Sequence, residues 1–240
     1  MKDKVIIITG ASQGLGKELS IQLAKLGAKI ALVARNEKLL SDVKNIINDE
    51  GGVAEVFVCD VTDVEAINTT VSKIMDTFKT VDVLVNNAGV WTNDKLEEKN
   101  NKLVEKTFMI NSVGPINFYK AVAPIFAKNK SGHFVFINSI AGLELYESKN
   151  YAVYSASKWA LTGFTSALKS KYDGTDIKVS SIHPGPIKSM IDVNSGDDWG
   201  TDESWMMSTA EVAGAVIYAL NAPGKIQVET LTFKKTNWNN

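Results

Sequence analysis

From Val5 onward the chain alternates, without a break, between short apolar runs and longer segments with apolar residues at helical spacing. Val5-Ile-Ile-Ile8 is β-branched throughout, the pattern of a strand buried on both faces of a parallel sheet. A helical pattern follows through Leu15, Leu19, Leu23 and Leu26, and Gly27 ends it. Further strands are predicted at 30–33, 53–58, 81–85, 134–137, 177–182 and 226–233. Between them the spacing predicts helices around Leu39–Ile47, over 64–78, 103–128 and 152–172, and late in the chain over 210–221. Such alternation argues a single α/β domain with a mainly parallel sheet, and the fold expected is a single-domain, Rossmann-type, doubly wound sheet of about seven mainly parallel strands with helices on both faces. No linker or repeat divides residues 1–240. The one long irregular stretch, 187–208, is expected to be a mobile substrate loop.

Bulk composition removes several function classes. The formal net charge of -1 gives no global field for nucleic acid or an anionic membrane. Two distant histidines, His133 and His183, offer no metal-ligand spacing. A single cysteine, Cys59, excludes an internal disulfide and suits a reducing compartment. No apolar run approaches the roughly 20 residues of a spanning helix. Four apolar residues after Met1-Lys-Asp-Lys are too few for a signal-peptide core, so the expected location is the cytoplasm.

The chemistry-bearing residues fall at the ends of the predicted strands. Thr9-Gly10-Ala-Ser12-Gln13-Gly14-Leu15-Gly16 joins the first strand to the first helix. Glycines there permit a tight turn and a close backbone approach to a pyrophosphate, which then meets the positive end of the helix. About 20 positions on, an acidic residue would select NAD by binding the ribose 2′-hydroxyl. This chain has Ala34 and Arg35 there, so nothing repels a 2′-phosphate and a guanidinium can pair with it. NADP(H) is the expected cofactor. Asp60 and Val61 follow the third strand; a carboxylate there can accept from adenine or cap the next helix, a role Thr62 and Asp63 serve equally well.

Tyr154 and Lys158 are four residues apart on the predicted helix 152–172. Positions i and i+4 share a helix face, so the ammonium lies near the phenol and favours phenolate. A phenol tuned in this way exchanges a proton with a carbonyl or alcohol near neutral pH. Tyr151 is the rival phenol, but Ser155 stands four residues after it and carries no charge.

The turn has the spacing G-x-x-x-G-x-G after threonine, and with Asn86-Asn87-Ala88-Gly89, Tyr154/Lys158 and Pro184-Gly185 the chain resembles the short-chain dehydrogenase/reductase family. The resemblance covers nearly the whole chain. It implies hydride transfer between a nicotinamide and a carbonyl or secondary alcohol, with Tyr154 as general acid/base. It places Lys158 on the nicotinamide ribose as well as beside the tyrosine, and makes Ser139 the group that orients the carbonyl. Asn111 is implied to hold a water in a proton relay toward the lysine. Asp60 is implied to lie near adenine, Asn87, Ala88 and Gly89 near the nicotinamide ribose, and Pro184, Gly185, Ile187 and Ser189 against the nicotinamide end. Ser12, Gln13 and Leu15 complete the implied cofactor contacts. The stretch between Ser139 and Tyr154 is a little longer than the family's usual spacing, which leaves the shape of the substrate pocket open.

Trp91 is expected at the mouth of the pocket, with Met190, Trp199, Trp205, Met206 and Met207 serving either as an apolar lid or as anchors of the loop around Ser195–Asp198. The partners expected are a small carbonyl or alcohol and further copies of the chain in a homodimer or homotetramer, with Trp159, Leu161, Phe164 and Leu168 serving either as an apolar face of the associating helix or in the core of a single chain. Two alternatives stand beside a general ketone or hydroxy-acid reductase. One is a 3-oxoacyl-[acyl-carrier-protein] reductase, with Lys128, Lys130, Lys169 and Lys171 as a docking patch, although the C-terminus lacks the aspartate–glycine–glycine ending of that subgroup. The other is a non-catalytic NADP(H) sensor, disfavoured by the retained tyrosine and lysine.

Overall fold

The structure is a computed structural model that describes residues 1–91, 101–143, 152–189 and 204–236. Strand β1 is Val5–Thr9, β2 Lys29–Ala34, β3 Val53–Val58, β4 Val83–Asn86, β5 Gly132–Ile137, β6 Ile177–Pro184 and β9 Thr230–Phe233. They form one seven-stranded sheet in the order β3-β2-β1-β4-β5-β6-β9, every pair parallel. A separate two-stranded sheet pairs β7 (Ile187–Lys188) with β8 (Met207–Ser208). The expected architecture is the one observed.

Helices cover both faces because consecutive strand residues point to opposite sides. Ile6, Ile8, Ile30 and Leu32 pack with Leu19 and Leu23 of α1 (Gly14–Lys25), Leu40 and Val43 of α2 (Glu37–Asp49), and Val212 and Val216 of α7 (Thr209–Leu220). Ile7, Ala31, Leu84 and Phe136 turn the other way. They meet Ile67 and Val71 of α3 (Val64–Phe78), Phe118 and Phe126 of α5 (Gly114–Asn129), and Leu161 and Leu168 of α6 (Ala152–Tyr172).

Chain order reverses between β1 and β4: β2 and β3 extend the sheet to one side of β1, β4 to β6 to the other. The C-terminal ends of β1 and β4 therefore open into a crevice, the usual ligand position in doubly wound sheets.

Four boundaries differ from the sequence expectation. Strand β4 begins at Val83, because Asp82 turns its carboxylate back to accept from the Val5 N–H at 2.9 Å and the Lys4 ammonium at 2.8 Å. Strand β9 begins at Thr230. Before it, side chains replace part of the ladder: Ser180 donates to the Val228 carbonyl at 2.5 Å, and the Gln227 amide oxygen accepts from Val179 N–H. The expected helix 103–128 is three segments, α4 (Asn101–Phe108), a five-residue π turn (Met109–Val113) and α5. Finally, the stretch 187–208 begins and ends in β7 and β8.

Candidate active site

The first component is backbone. Gly10 has φ +68°, and a Cβ on Gly16 would overlap the Gly10 carbonyl oxygen and stand 2.6 Å from Asn87 Nδ2. Only glycine lets α1 start this close to the β1 exit. Asn87 ties the β4 exit to the same place, donating to the Thr9 carbonyl at 2.9 Å, while Thr9 Oγ1 accepts from the Asn87 and Ala88 N–H groups at 3.0 Å each. Asn86 does not share that work. Its side chain is buried, and among the described residues neither amide atom has a hydrogen-bond partner.

Side chains cap α2 (Asn36), α3 (Asp63) and α7 (Ser208), but among the described residues none caps α1 at Gln13. The first N–H groups of α1 therefore face the glycine turn with no side-chain cap, as an anion-binding helix start requires. A glycine cradle and an uncapped helix end fit the pyrophosphate of the expected dinucleotide. Ser12 and Gln13 lie half-buried on the turn, and Leu15 is buried beneath it.

At the ends of β2 and β3, Arg35 Nη1 lies 3.8 Å from Asp60 Oδ2, with both side chains substantially exposed. The other carboxylate oxygen accepts from the Thr62 N–H at 2.9 Å and the Thr62 hydroxyl at 2.8 Å. Burial opposes ionisation of Asp60, but the Thr62 bonds and the Arg35 charge outweigh it and hold the carboxyl below its ordinary range. Asp63, not Asp60, caps the following helix, accepting from Glu65 and Ala66 N–H. Asp60 is thus left at the strand end beside Arg35. Val61 is buried, and its carbonyl oxygen sits so close to Gly114 that a Cβ there would be 2.7 Å away.

The second component is a network of buried side chains. Lys158 is 5 % exposed, its Nζ lies 5.8 Å from the Tyr154 ring centroid, and it donates to the Ile137 carbonyl at 3.1 Å. Burial draws its pKa down to about 8. Asn111, in the π turn, grips the β4 exit by two bonds, accepting from Val90 N–H at 2.8 Å and donating to Val90 C=O at 2.9 Å. The same amide nitrogen donates to Ser157 Oγ at 3.1 Å, and Ser157 donates to the Tyr154 carbonyl at 2.6 Å. Ser112 adds a bond to the Ser157 carbonyl at 2.8 Å. The π turn accounts for an asparagine, a poor helix former, at this place: it aims the amide at the β4 exit, and such turns recur at functional sites. Trp91, one residue past the gripped Val90, places its ring 4.5 Å from that of Tyr154.

Ser139 follows β5. Its hydroxyl accepts from Ala141 N–H at 3.1 Å, leaving its own hydrogen to donate. Its carbonyl accepts from His183 Nδ1 at 2.9 Å, and Asn138, held in turn by Thr162, accepts from its N–H at 3.0 Å. Gly142 brings this turn against α6, where a Cβ would stand 2.8 Å from the Lys158 carbonyl oxygen. Pro184 ends β6, and Gly185 donates to Phe233 at 2.8 Å and lies beside Ile140. Ile187 pairs with Met207, and Ser189 ends that described segment.

The structure thus brings Asn111, Tyr154 and Lys158 into one bonded cluster at the β4 and β5 exits, with Ser139 reached through Ile137 and Gly142. Sequence reasoning missed Ser157 and Thr162, gave Thr9 no bonding role, and weighed His183 as a metal ligand without naming what it holds. Ser157 had a signal: it falls on the buried stripe of α6 with Leu161 and Leu168, where a hydroxyl needs a partner. Met206 and Met207 are both 5 % exposed, and Met207 packs in the core with α7, which makes it an anchor. Tyr151, Met190, Ser195–Asp198 and Trp199 lie outside the described residues. Of the expected basic patch, Lys169 bonds Thr230 at 2.6 Å and Lys171 bonds the Tyr119 hydroxyl at 3.1 Å.

Comparisons with known proteins agree with this fold. The family model described as short chain dehydrogenase matches residues 4–199. An uncharacterized oxidoreductase of Staphylococcus saprophyticus is 34% identical over 236 residues, covering 98% of both chains. One from Listeria innocua is 33% identical over 245 residues, again covering 98% of each. Among solved structures, a variant of actinorhodin polyketide ketoreductase with NADPH superposes with a TM-score of 0.89 at 28% identity over 100% of both chains. A metagenomic short-chain oxidoreductase in complex with NADP gives 0.83 at 26% identity, covering 98% of this chain and 99% of that one.

Proposed function

The chain belongs to the short-chain dehydrogenase family of oxidoreductases, and from that premise we propose that it is an NADP-dependent carbonyl reductase, moving a hydride from NADPH to a ketone or, in reverse, from a secondary alcohol. The observation that carries this reading is the Tyr154–Lys158 pair on α6, bonded through Ser157 and Asn111 to the β4 exit and through Lys158 to the β5 exit. When bound, the nicotinamide supplies the hydride. Tyr154 gives the carbonyl oxygen its proton. Lys158 keeps a positive charge near the phenol and reaches the nicotinamide ribose. Ser139 donates its free hydrogen to the same oxygen and stabilises the charge that develops there. Asn111 orders the turn beside which a relay water would stand.

On the cofactor side, Gly10, Gly14 and Gly16, with Ser12, Gln13 and Leu15, would hold the pyrophosphate. Arg35 would take the 2′-phosphate and Asp60 with Val61 the adenine side. Asn87, Ala88, Gly89, Pro184, Gly185, Ile187 and Ser189 would flank the nicotinamide end. Two of the solved relatives carry NADP or NADPH, which supports the Arg35 reading. The reading treats residues 1–240 as one domain, since strands from both ends of the chain, β1 and β9, enter one sheet. Trp159, 44% exposed on α6, supports association of copies through that helix in a homodimer or homotetramer.

A carrier-bound 3-oxoacyl substrate is the second reading, favoured by the likeness to a polyketide ketoreductase. It is weakened by Lys169 and Lys171, which are engaged within the chain rather than offered to a carrier. The test is NADPH oxidation against a panel of ketones, 3-oxoacyl thioesters and sugars, with NADH in parallel. Turnover of free ketones at lower KM for NADPH is expected. Turnover of thioesters alone selects the carrier reading, and tight NADPH binding with no turnover on any carbonyl selects the sensor.

A further inference from the structure

His183 joins β6 to the Ser139 turn. Its ring is 1 % exposed, lies on β6 immediately before Pro184-Gly185, and makes two hydrogen bonds. The partner of Nδ1, at 2.9 Å, is the Ser139 carbonyl, which can only accept. Nδ1 therefore carries the hydrogen. Nε2, 2.7 Å from Ser181 Oγ, is then the acceptor, and Ser181 gives it its hydroxyl hydrogen. Both ring nitrogens are satisfied by one neutral tautomer.

The other histidine has the opposite assignment. His133 Nε2 lies 2.8 Å from Ser180 Oγ, and Ser180 spends its only hydrogen on the Val228 carbonyl at 2.5 Å. Ser180 must accept from the ring, so His133 carries its hydrogen on Nε2. The two histidines of the chain thus occupy adjacent strands in opposite tautomers.

We propose that His183, as a neutral Nδ1–H donor, is a positioning residue for the reaction, fixing the Ser139 backbone so that the serine hydroxyl keeps register with the Pro184-Gly185 turn. The proposal rests on the function argued above, in which Ser139 faces the carbonyl and Pro184-Gly185 the nicotinamide end. The geometry gives the reason a histidine serves here. Among the described residues the Ser139 N–H is held from α6, by Asn138 and Thr162, and its carbonyl is held by Gly142 N–H within the turn and by His183 from β6, one residue beyond the bond of the Asn138 N–H to the Ile182 carbonyl. Remove the His183 bond and the serine still caps its turn, but the last tie to the strand that carries Pro184-Gly185 falls back to Asn138, one residue short of the serine. An error of about 1 Å between reacting groups costs on the order of 100-fold in rate.

Two measurements test this. The first needs no substrate: a long-range ¹H–¹⁵N spectrum of the labelled full chain at pH 7, with His183→Asn to assign the signals. One Nδ1–H and one Nε2–H tautomer are expected, and the Nδ1–H pattern should vanish in His183→Asn. An Nε2–H or doubly protonated His183 overturns the proposal. The second is kinetic, using the best carbonyl of the panel. His183→Gln removes the donor at the Nδ1 position, whereas the amide nitrogen of His183→Asn can replace it. His183→Gln is expected to lose roughly 10- to 100-fold in kcat, with NADPH affinity within about threefold of wild type. His183→Asn is expected to recover most of that loss. In a Ser139→Ala background, His183→Gln is expected to cost nothing further. Undiminished kcat in His183→Gln, or an equal added loss in the Ser139→Ala background, contradicts the proposal. These results are separable from the reaction assignment: normal turnover in Tyr154→Phe removes the assignment and leaves the tautomer result intact.

Discussion

The two halves of the crevice are built from different materials. On the β1–β3 side the site is backbone: a glycine turn, an uncapped helix start, and one exposed ion pair between Arg35 and Asp60. On the β4–β6 side it is a chain of buried side chains, running from Val90 through Asn111 and Ser157 to Tyr154, and from His183 to Ser139. The packing beneath them differs in the same sense. The face carrying α1 is almost wholly aliphatic, whereas the face carrying α5 and α6 buries Phe57, Phe118, Phe126, Phe134 and Phe136. A backbone site depends on shape, so it fails when volume is added. A side-chain network depends on every donor finding its acceptor, so it fails when a polar atom is removed.

Adding volume should do the most damage. Gly16→Val drives a branched side chain into the Gly10 carbonyl and Asn87. NADPH affinity is expected to fall at least about 100-fold, equivalent to about 2.7 kcal/mol, by fluorescence titration. The same substitution at Gly174, where a Cβ meets nothing within 4 Å, should leave binding intact and cost only its backbone strain. Removing a polar atom should separate the halves. Asn111→Leu removes the partners of both backbone groups of half-buried Val90, at up to roughly 1–3 kcal/mol each where water does not replace them. The expected result is a 10- to 100-fold lower kcat with NADPH affinity nearly unchanged. If affinity and kcat fall together, the two halves are not independent.

The Arg35–Asp60 pair sets a smaller effect. Arg35→Ala is expected to raise KM for NADPH about tenfold, the worth of one charge-assisted contact, and to leave KM for NADH unchanged. Equal values for the two cofactors in both proteins would remove the 2′-phosphate role. The smallest effect is on stability. Burial pulls His183 down to about 4 and His133 likewise, both below an unfolded value near 6.5. The unfolded chain binds these protons first, so stability is complete above about pH 6.5 and is lost progressively toward pH 4, by up to about 3 kcal/mol per ring. Urea midpoints across that range should fall less steeply for His183→Asn than for wild type.

The two halves also differed in how far the sequence disclosed them. The strand positions, the glycine turn and the Arg35 position follow from residue type and spacing along one stretch of chain, since backbone geometry is a local property. Tyr154 and Lys158 were legible for the same reason, being one helical turn apart. What joins them to the rest was not. The grip of Asn111 on Val90 spans 21 residues, its bond to Ser157 spans 46, and that of His183 to Ser139 spans 44. No periodicity marks such pairs; they exist only once β4, β5 and β6 lie side by side. The π turn was hidden for a related reason. Its cause is the tertiary demand of the Asn111 amide, and nothing in the helical pattern of 103–128 announces it.

The proposed reaction makes Tyr154 the proton donor, beside a cofactor site whose binding is expected to survive the loss of its hydroxyl. The direct test is one variant measured twice, Tyr154→Phe, for NADPH affinity by fluorescence titration and for kcat on the best carbonyl of the panel. The ring and its packing against Trp91 are kept, and only the hydroxyl is lost. The expected result is NADPH affinity within about threefold of wild type and kcat lower by 10²–10⁴-fold, the usual worth of general acid–base catalysis. Near-normal turnover in Tyr154→Phe would contradict the account.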